Sequence, residues 1–165
     1  MLEQLGYQAE SGPWRNFFLA ATLELRTPTP PPQPAGVITP DMMAAMSVQQ
    51  VFDYMGLRLN GVNPVNPLSI GLTVLKPDNT VLDDCWVRYR NTVLVYTDTV
   101  PLPGAADSTY RITRTGLSSL GLGDKTPDEL QASGDLKIVA GSMDPINALV
   151  APLVPFYINF PLTRP

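Results

Sequence analysis

The sequence predicts an α+β fold: a five-stranded, mainly antiparallel sheet covered by helices, with a helical arm in front of it. Three observations lead there. Apolar and polar residues alternate over 68–74, and two further strand-like runs, 81–90 and 93–97, follow with no helical crossover between them; parallel neighbours would need one of about a dozen residues. Helix-spaced apolar residues lie on both sides of that block. Six of the 18 prolines fall between Pro28 and Pro40, which sets the first helical segment apart. A chain of 165 residues suffices for one core of ordinary size. The expected organisation is therefore an arm over 1–27, a proline-rich linker over 28–39 and one domain over 40–165.

In the arm, Trp14, Phe17, Phe18, Ala21 and Leu25 recur at helical spacing between Gly12 and Arg26, and Pro13 suits the first turn, where its missing N–H has no partner to lose. The aromatic face predicts an interface at Trp14, Phe17 and Phe18, because a short helix with so much apolar surface needs something to pack on. Residues 27–34 read as an extended polyproline spacer. The domain opens with a short helix over 40–46. Ser47 and Gln50 then form a capping-box pattern for a second helix, on which Val48, Val51, Phe52, Met55 and Leu59 share a face and which Asn60-Gly61 stops.

The strand over 68–74 ends at Pro77-Asp78-Asn79, and Asn91-Thr92 joins the strands over 81–90 and 93–97. A fourth strand, 109–113, is expected to be antiparallel like the others. Residues 117–122, between Gly116 and Gly123, read as one or two helical turns. Thr126-Pro127-Asp128-Glu129 is a helix start with cap, first-turn proline and acid in place, and Gly134 is its end. Leu136, Ile138 and Ala140 make a fifth strand. Asp144-Pro145 starts a helix running to about Ala151, and 156–160 closes the chain as an extended segment.

Composition excludes much chemistry. Charged residues make up 16% of the chain, below the roughly 25% of an average domain, and 15 acids against 11 bases give a net charge of −4 with no basic cluster. Nucleic-acid binding by phosphate neutralisation is therefore not expected. The chain has no histidine and one cysteine, which removes imidazole zinc sites, histidine-based triads and internal disulfides. No metal and no cofactor is expected, since no phosphate-cradling glycine motif is present either. The N-terminus lacks the basic and apolar regions of a signal peptide. The most apolar stretch, 146–160, is broken by Asn147, Pro152, Pro155 and Asn159 and is too short to span a bilayer. A soluble protein is expected, cytoplasmic on the sequence as given, or periplasmic or secreted if it is part of a longer precursor.

Few residues suggest a site. Asp83 and Asp84 are adjacent on a strand and so point to opposite faces, which prevents them from acting as one carboxylate pair. Cys85 shares a face with Val81, Val87 and Tyr89, surroundings that raise a thiol pKa. Arg88, Arg90, Arg111 and Arg114 are read as strand residues: either one weakly basic sheet face or exposed charges that discourage edge pairing. The remaining candidates are apolar: Met43, Met46, Phe52, Met55, Trp86, Leu117, Leu120, Leu149 and Leu153. Methionine adapts to irregular shapes, so such a set can line an alkyl-chain cavity; ordinary core packing accounts for the same residues.

Two stretches carry a family resemblance. Residues 2–16, LEQLGYQAESGPWRN, resemble the final helices of the central dimerisation region of the class III, metallo-β-lactamase type, alkyl sulfatases. Residues 52–61, FDYMGLRLNG, resemble the opening of that family's C-terminal domain, with ADSTYRITR over 106–114 and ASGDLKI over 132–138 falling on corresponding segments. The resemblance implies a sterol carrier protein 2-like fold for the main domain. It implies a non-catalytic module that offers an apolar groove or tunnel to a long-chain alkyl or fatty-acid-like ligand. The alternative is a structural piece that completes an alkyl sulfatase assembly, as a homodimer or with a catalytic chain. In the family, catalysis belongs to an N-terminal dizinc domain rich in histidine and aspartate, so no catalytic residue carries over to this chain.

Overall fold

The computed structural model describes residues 1–27, 38–61, 65–99 and 106–155. Residues 28–37 of the linker predicted over 28–39, and the closing extended segment over 156–160, lie outside them. The described residues fall into two compact units, 1–27 and Ile38–Pro155.

The first unit is a helical hairpin of α1 (Leu2–Gln8) and α2 (Gly12–Arg26). Periodicity in the sequence marks only the second of these. Gly6 lets the helices approach closely: a methyl group at that position would come within 2.8 Å of the Leu19 side chain. A Glu3–Arg26 ion pair and a hydrogen bond from the Arg15 guanidinium to the Ala9 carbonyl (3.0 Å) hold the two ends. Ala21 is buried and Phe18 half-buried, while Trp14 and Phe17 stay exposed at 61% and 49%. Trp14 stacks on Phe18 with ring centres 5.8 Å apart.

The second unit begins with α3 (Pro40–Ala45), capped by the Thr39 hydroxyl, and α4 (Val48–Leu57), which carries the predicted capping box between Ser47 and Gln50. Helix α4 ends two residues before the expected Leu59. Leu59 instead bridges to Leu153, and the amides of Asn60 and Val154 donate across the same junction, to the carbonyls of Pro152 and Arg58. The strands are β1 (Leu68–Leu75), β2 (Val81–Arg90), β3 (Val93–Thr97), β4 (Ser108–Thr113) and β5 (Leu136–Ala140). Between β4 and β5 lie α5 (Arg114–Leu122) and α6 (Pro127–Ser133), and α7 (Asp144–Val150) follows β5.

The sheet order is β3-β2-β1-β4-β5. Three of the four pairings are antiparallel, but β4 lies parallel to β1, with Leu72 opposite Tyr110. That corrects the antiparallel reading of the fourth strand. In the sheet β4 sits on the far side of β1 from β2 and β3, so it is no hairpin partner of β3 and is free to run in the direction of β1.

Alternation gives the sheet two unlike faces. Ile70, Leu72 and Val74 of β1, Val87 and Tyr89 of β2 and Ile112 of β4 face inward and are at most 2% exposed. Helices α3, α4, α5, α6 and α7 all contribute side chains to the core cluster that covers this face.

Candidate functional site

Six of the nine predicted lining residues come together in one contiguous cluster. Met43 from α3, Phe52 and Met55 from α4, Leu117 and Leu120 from α5 and Leu149 from α7 are each at most 4% exposed. Met46 and Leu153 are half-buried and pack against the same cluster from its rim. Trp86 is not with them. Its ladder partner is Gly71, one residue out of phase with the inward Ile70–Val87 pair, so the indole lies on the outer face beside Gly71.

The helices meet closely over the cluster. A methyl group on Gly121 of α5 would come within 2.9 Å of Val51 on α4 and within 3.5 Å of the Met43 thioether on α3. At Gly121 the helices are thus separated by one β-branched valine and one flexible methionine thioether.

Polar groups in the core are nearly all satisfied. The Tyr110 hydroxyl donates to the Ser142 carbonyl (2.6 Å) and accepts from the Ile146 amide (3.3 Å). Tyr96 donates to Asp83 (2.8 Å), and burial together with that carboxylate raises its pKa. Burial, helped by Asp83 and Asp84, pushes the Cys85 thiol up to about 12, so it is a packing group and no nucleophile. The Tyr89 hydroxyl is buried with no hydrogen-bond partner among the described residues.

Two arginines that the sequence reading did not single out for this role frame the cluster. Arg114 is not a strand residue: it opens α5 and reaches the C-terminal end of α3, where one guanidinium nitrogen donates to the carbonyls of Met43 (2.6 Å), Ala44 (3.3 Å) and Met46 (2.7 Å). Its other terminal nitrogen donates to Ser118 (2.7 Å). Burial lowers its pKa. Arg58, only 7% exposed, donates to the Gly121 carbonyl near the end of α5 (2.6 Å) and to Val154 (2.9 Å), with Tyr54 stacked 5.7 Å away. Cations at helix C-termini meet the negative end of the helix dipole, which offsets part of the cost of burying them. Their nearest sequence signal is position, since each stands at a helix boundary.

The outer face differs throughout. Arg88 and Arg90 on β2, Arg111 on β4 and Lys137 on β5 are exposed, and Thr73 donates to Asp84 (2.9 Å). A cleft of about 350 Å³ opens at the end of the sheet, walled by Leu75 and Val81 and edged by Asn79, Thr113, Gly134 and Asp135, with Arg111 and Lys137 reaching it. Among the described residues, no three His, Cys, Asp or Glu side chains group as a metal site, and no helix is long and apolar enough to cross a membrane.

With this geometry in hand, the comparisons are specific. Residues 37–165 match the family described as "Alkyl sulfatase C-terminal". A linear primary-alkylsulfatase from Pseudomonas sp. is 37% identical over 145 residues, which cover 83% of this chain and 20% of that protein. The chain spans a fifth to a quarter of the length of the curated relatives it matches. The structure of the stereoselective inverting sec-alkylsulfatase Pisa1 from Pseudomonas sp. aligns with a TM-score of 0.72 at 24% identity, over 96% of this chain and 24% of that one. Sterol carrier protein-2 like-3 from Aedes aegypti aligns with a TM-score of 0.50 at 10% identity, over 64% of this chain and 95% of that one. The fold of the main unit is therefore sterol carrier protein 2-like.

Proposed function

The chain belongs to the alkyl sulfatase C-terminal family, and from that premise we propose that its main unit is a non-catalytic module for the hydrocarbon part of a long alkyl or fatty-acid-like chain. One observation carries the reading: Met43 and Met55, with Phe52, Leu117 and Leu120, form a continuous apolar seam between helices and sheet, and Met46 sits at its half-buried rim. Thioether side chains repack at little cost, so an alkyl chain can take the place of side-chain contacts along the seam. Each methylene removed from water contributes about 0.8 kcal/mol, so a ten-carbon chain can bind usefully after association costs.

The test is displacement of a fluorescent fatty acid from the full chain, expected to saturate at one per chain. Met46→Asp should weaken displacement at least tenfold while the fold persists, because this position reaches solvent and the acid can stay hydrated. No saturable binding to the native chain, or binding unchanged by Met46→Asp, would overturn the reading.

A second reading rests on the arm. Trp14 and Phe17 are large and exposed on one side of α2, and a soluble hairpin leaves such a patch open at a cost in solubility. This face is proposed to bury itself in an assembly, with a second copy or with a catalytic chain. Light scattering of Trp14→Ser/Phe17→Ser against the native chain tests it; equal mass and equal solubility would remove the arm as an interface. Catalysis is assigned to neither unit, since the chain has no histidine to build a dizinc site of the family's kind.

A further inference from the structure

We propose that the cleft at the end of the outer sheet face binds a tetrahedral oxyanion, sulfate or phosphate, free or as the head group of an ester, held by Arg111 and Lys137. The two cations are direct cross-strand partners on β4 and β5. Like charges so placed, with Cβ atoms about 5 Å apart, destabilise a sheet. Neither has an ion pair or side-chain hydrogen bond among the described residues, although the chain carries an excess of acids.

The carboxylate at the cleft is already engaged. Asp135 accepts from Thr113 (2.9 Å) and Ser133 (2.8 Å) and lies 3.8 Å from the Lys125 ammonium. Asp84, farther along the same row of the sheet, accepts from Thr73 (2.9 Å), and Asp78 in the β1–β2 turn accepts from Thr80 (2.6 Å). Arg111 and Lys137 thus bring two positive charges to the cleft against the one negative charge of Asp135, which Lys125 partly offsets. Charges on an edge strand deter edge pairing, which accounts for Lys137 on β5. It does not account for Arg111, because β4 lies inside the sheet between β1 and β5.

A guanidinium fork beside an ammonium point charge suits a tetrahedral oxyanion, which turns their repulsion into shared attraction. Leu75 and Val81 give the cleft an apolar wall, where the first carbons of an ester can rest. The cleft is on the opposite sheet face from the methionine seam, so this proposal stands apart from the alkyl-chain reading.

Amide chemical shifts of the full chain, titrated with sodium sulfate, methyl sulfate and octyl sulfate against sodium chloride at matched ionic strength, test it. Saturable shifts at Arg111, Thr113, Asp135 and Lys137 are expected with a sulfate probe and not with chloride. Response to inorganic sulfate alone identifies a free-ion site; response to the esters identifies a head-group site. Arg111→Gln/Lys137→Gln should weaken the response at least tenfold, keep the native spectrum, and leave fatty-acid displacement unchanged. Both residues are exposed and mutually repelling, so the variant should fold as well as the native chain. Shifts that chloride reproduces, or a double variant that binds as tightly as the native chain, would refute the site.

Discussion

The two faces of the sheet are made by the same strands, residue by residue in alternation, and they have opposite characters. On β4, Tyr110 and Ile112 are at most 1% exposed, while Arg111 between them is open to solvent. The arginines show the same division. Arg58 and Arg114 are drawn in and spend most of their donors on backbone carbonyls, those at the ends of α5 and α3 among them, whereas Arg111 has no described partner. Parity along a strand decides which face a residue joins, and what it touches there decides its role. The two proposals accordingly put an apolar tail on one side of this sheet and a charged head group on the other.

The sharpest way to break the comparison is a pair of truncations. Ile112→Ala removes buried methylenes and leaves a cavity, and should cost about 2 to 5 kcal/mol. Arg88→Ala, exposed on the outer face, should stay within about 0.5 kcal/mol. Urea unfolding of both variants measures this, and similar midpoints would mean that the faces are not distinct in energy.

Arg114→Met comes next, at about 2 to 3 kcal/mol. It keeps much of the side-chain volume but strips charged donors from three carbonyls at the end of α3. Arg114→Lys should rescue only part, because an ammonium cannot reproduce the fork that spans α3 and Ser118. Hydrogen exchange should quicken first in α3. Loss of stability with α3 protection unchanged would place the role of Arg114 elsewhere.

Much of this was legible in the sequence because it is local. The Ser47 and Thr126 capping boxes, the first-turn prolines, the hairpin turn and the five strands all depend on neighbours in the chain, and they stand within about two residues of expectation. The parallel docking of β4 was not legible, since it depends on where a long link returns. Trp86 was grouped with the alkyl-lining set by residue type, although its parity against inward Cys85 already put it outside. The same parity that separates Asp83 from Asp84 separates Trp86 from Cys85. Arg114 hid at a strand-to-helix junction, where the strand pattern runs into the cap.

The face assignment depends on register, and in the β2–β3 hairpin a two-residue turn sets it. Asn91 and Thr92 both have positive φ, 51° and 61°. Asparagine tolerates this, but threonine is β-branched and strained there. Thr92→Gly should therefore stabilise the chain by about 1 kcal/mol and leave the Arg88–Val95 and Tyr89–Leu94 pairings unchanged. A thermal scan reads the gain, and cross-strand nuclear Overhauser contacts read the register. A destabilised variant would show that the threonine side chain contributes more than its backbone costs.

The smallest effect concerns Asp135, where the outer face carries its own acid. Hydrogen bonds from the Ser133 and Thr113 hydroxyls, with Lys125 adding attraction, hold this carboxyl below the ordinary 3.8. A pKa depressed in the folded state means that the unfolded chain takes up the proton first as pH falls. The stabilisation is complete above the unfolded value and is lost as pH drops below about 4 through the folded value. Thr113 and Ser133 donate to different oxygens of Asp135. Asp135→Asn keeps an acceptor for one of them and offers the other an amide donor that its hydroxyl can accept, so it should cost no more than about 1 kcal/mol at pH 7, where solvent screens the ion pair. Its acid limb below pH 4 should be shallower than that of the native chain. The same variant removes the negative charge from the cleft beside Arg111 and Lys137, so sulfate binding there should tighten while fatty-acid displacement on the inner face stays the same. Unfolding curves at pH 3 and pH 7, with one sulfate titration, check both expectations. A parallel acid limb would show that Asp135 gains nothing from its partners, and unchanged sulfate affinity would show that the acid does not face the cleft.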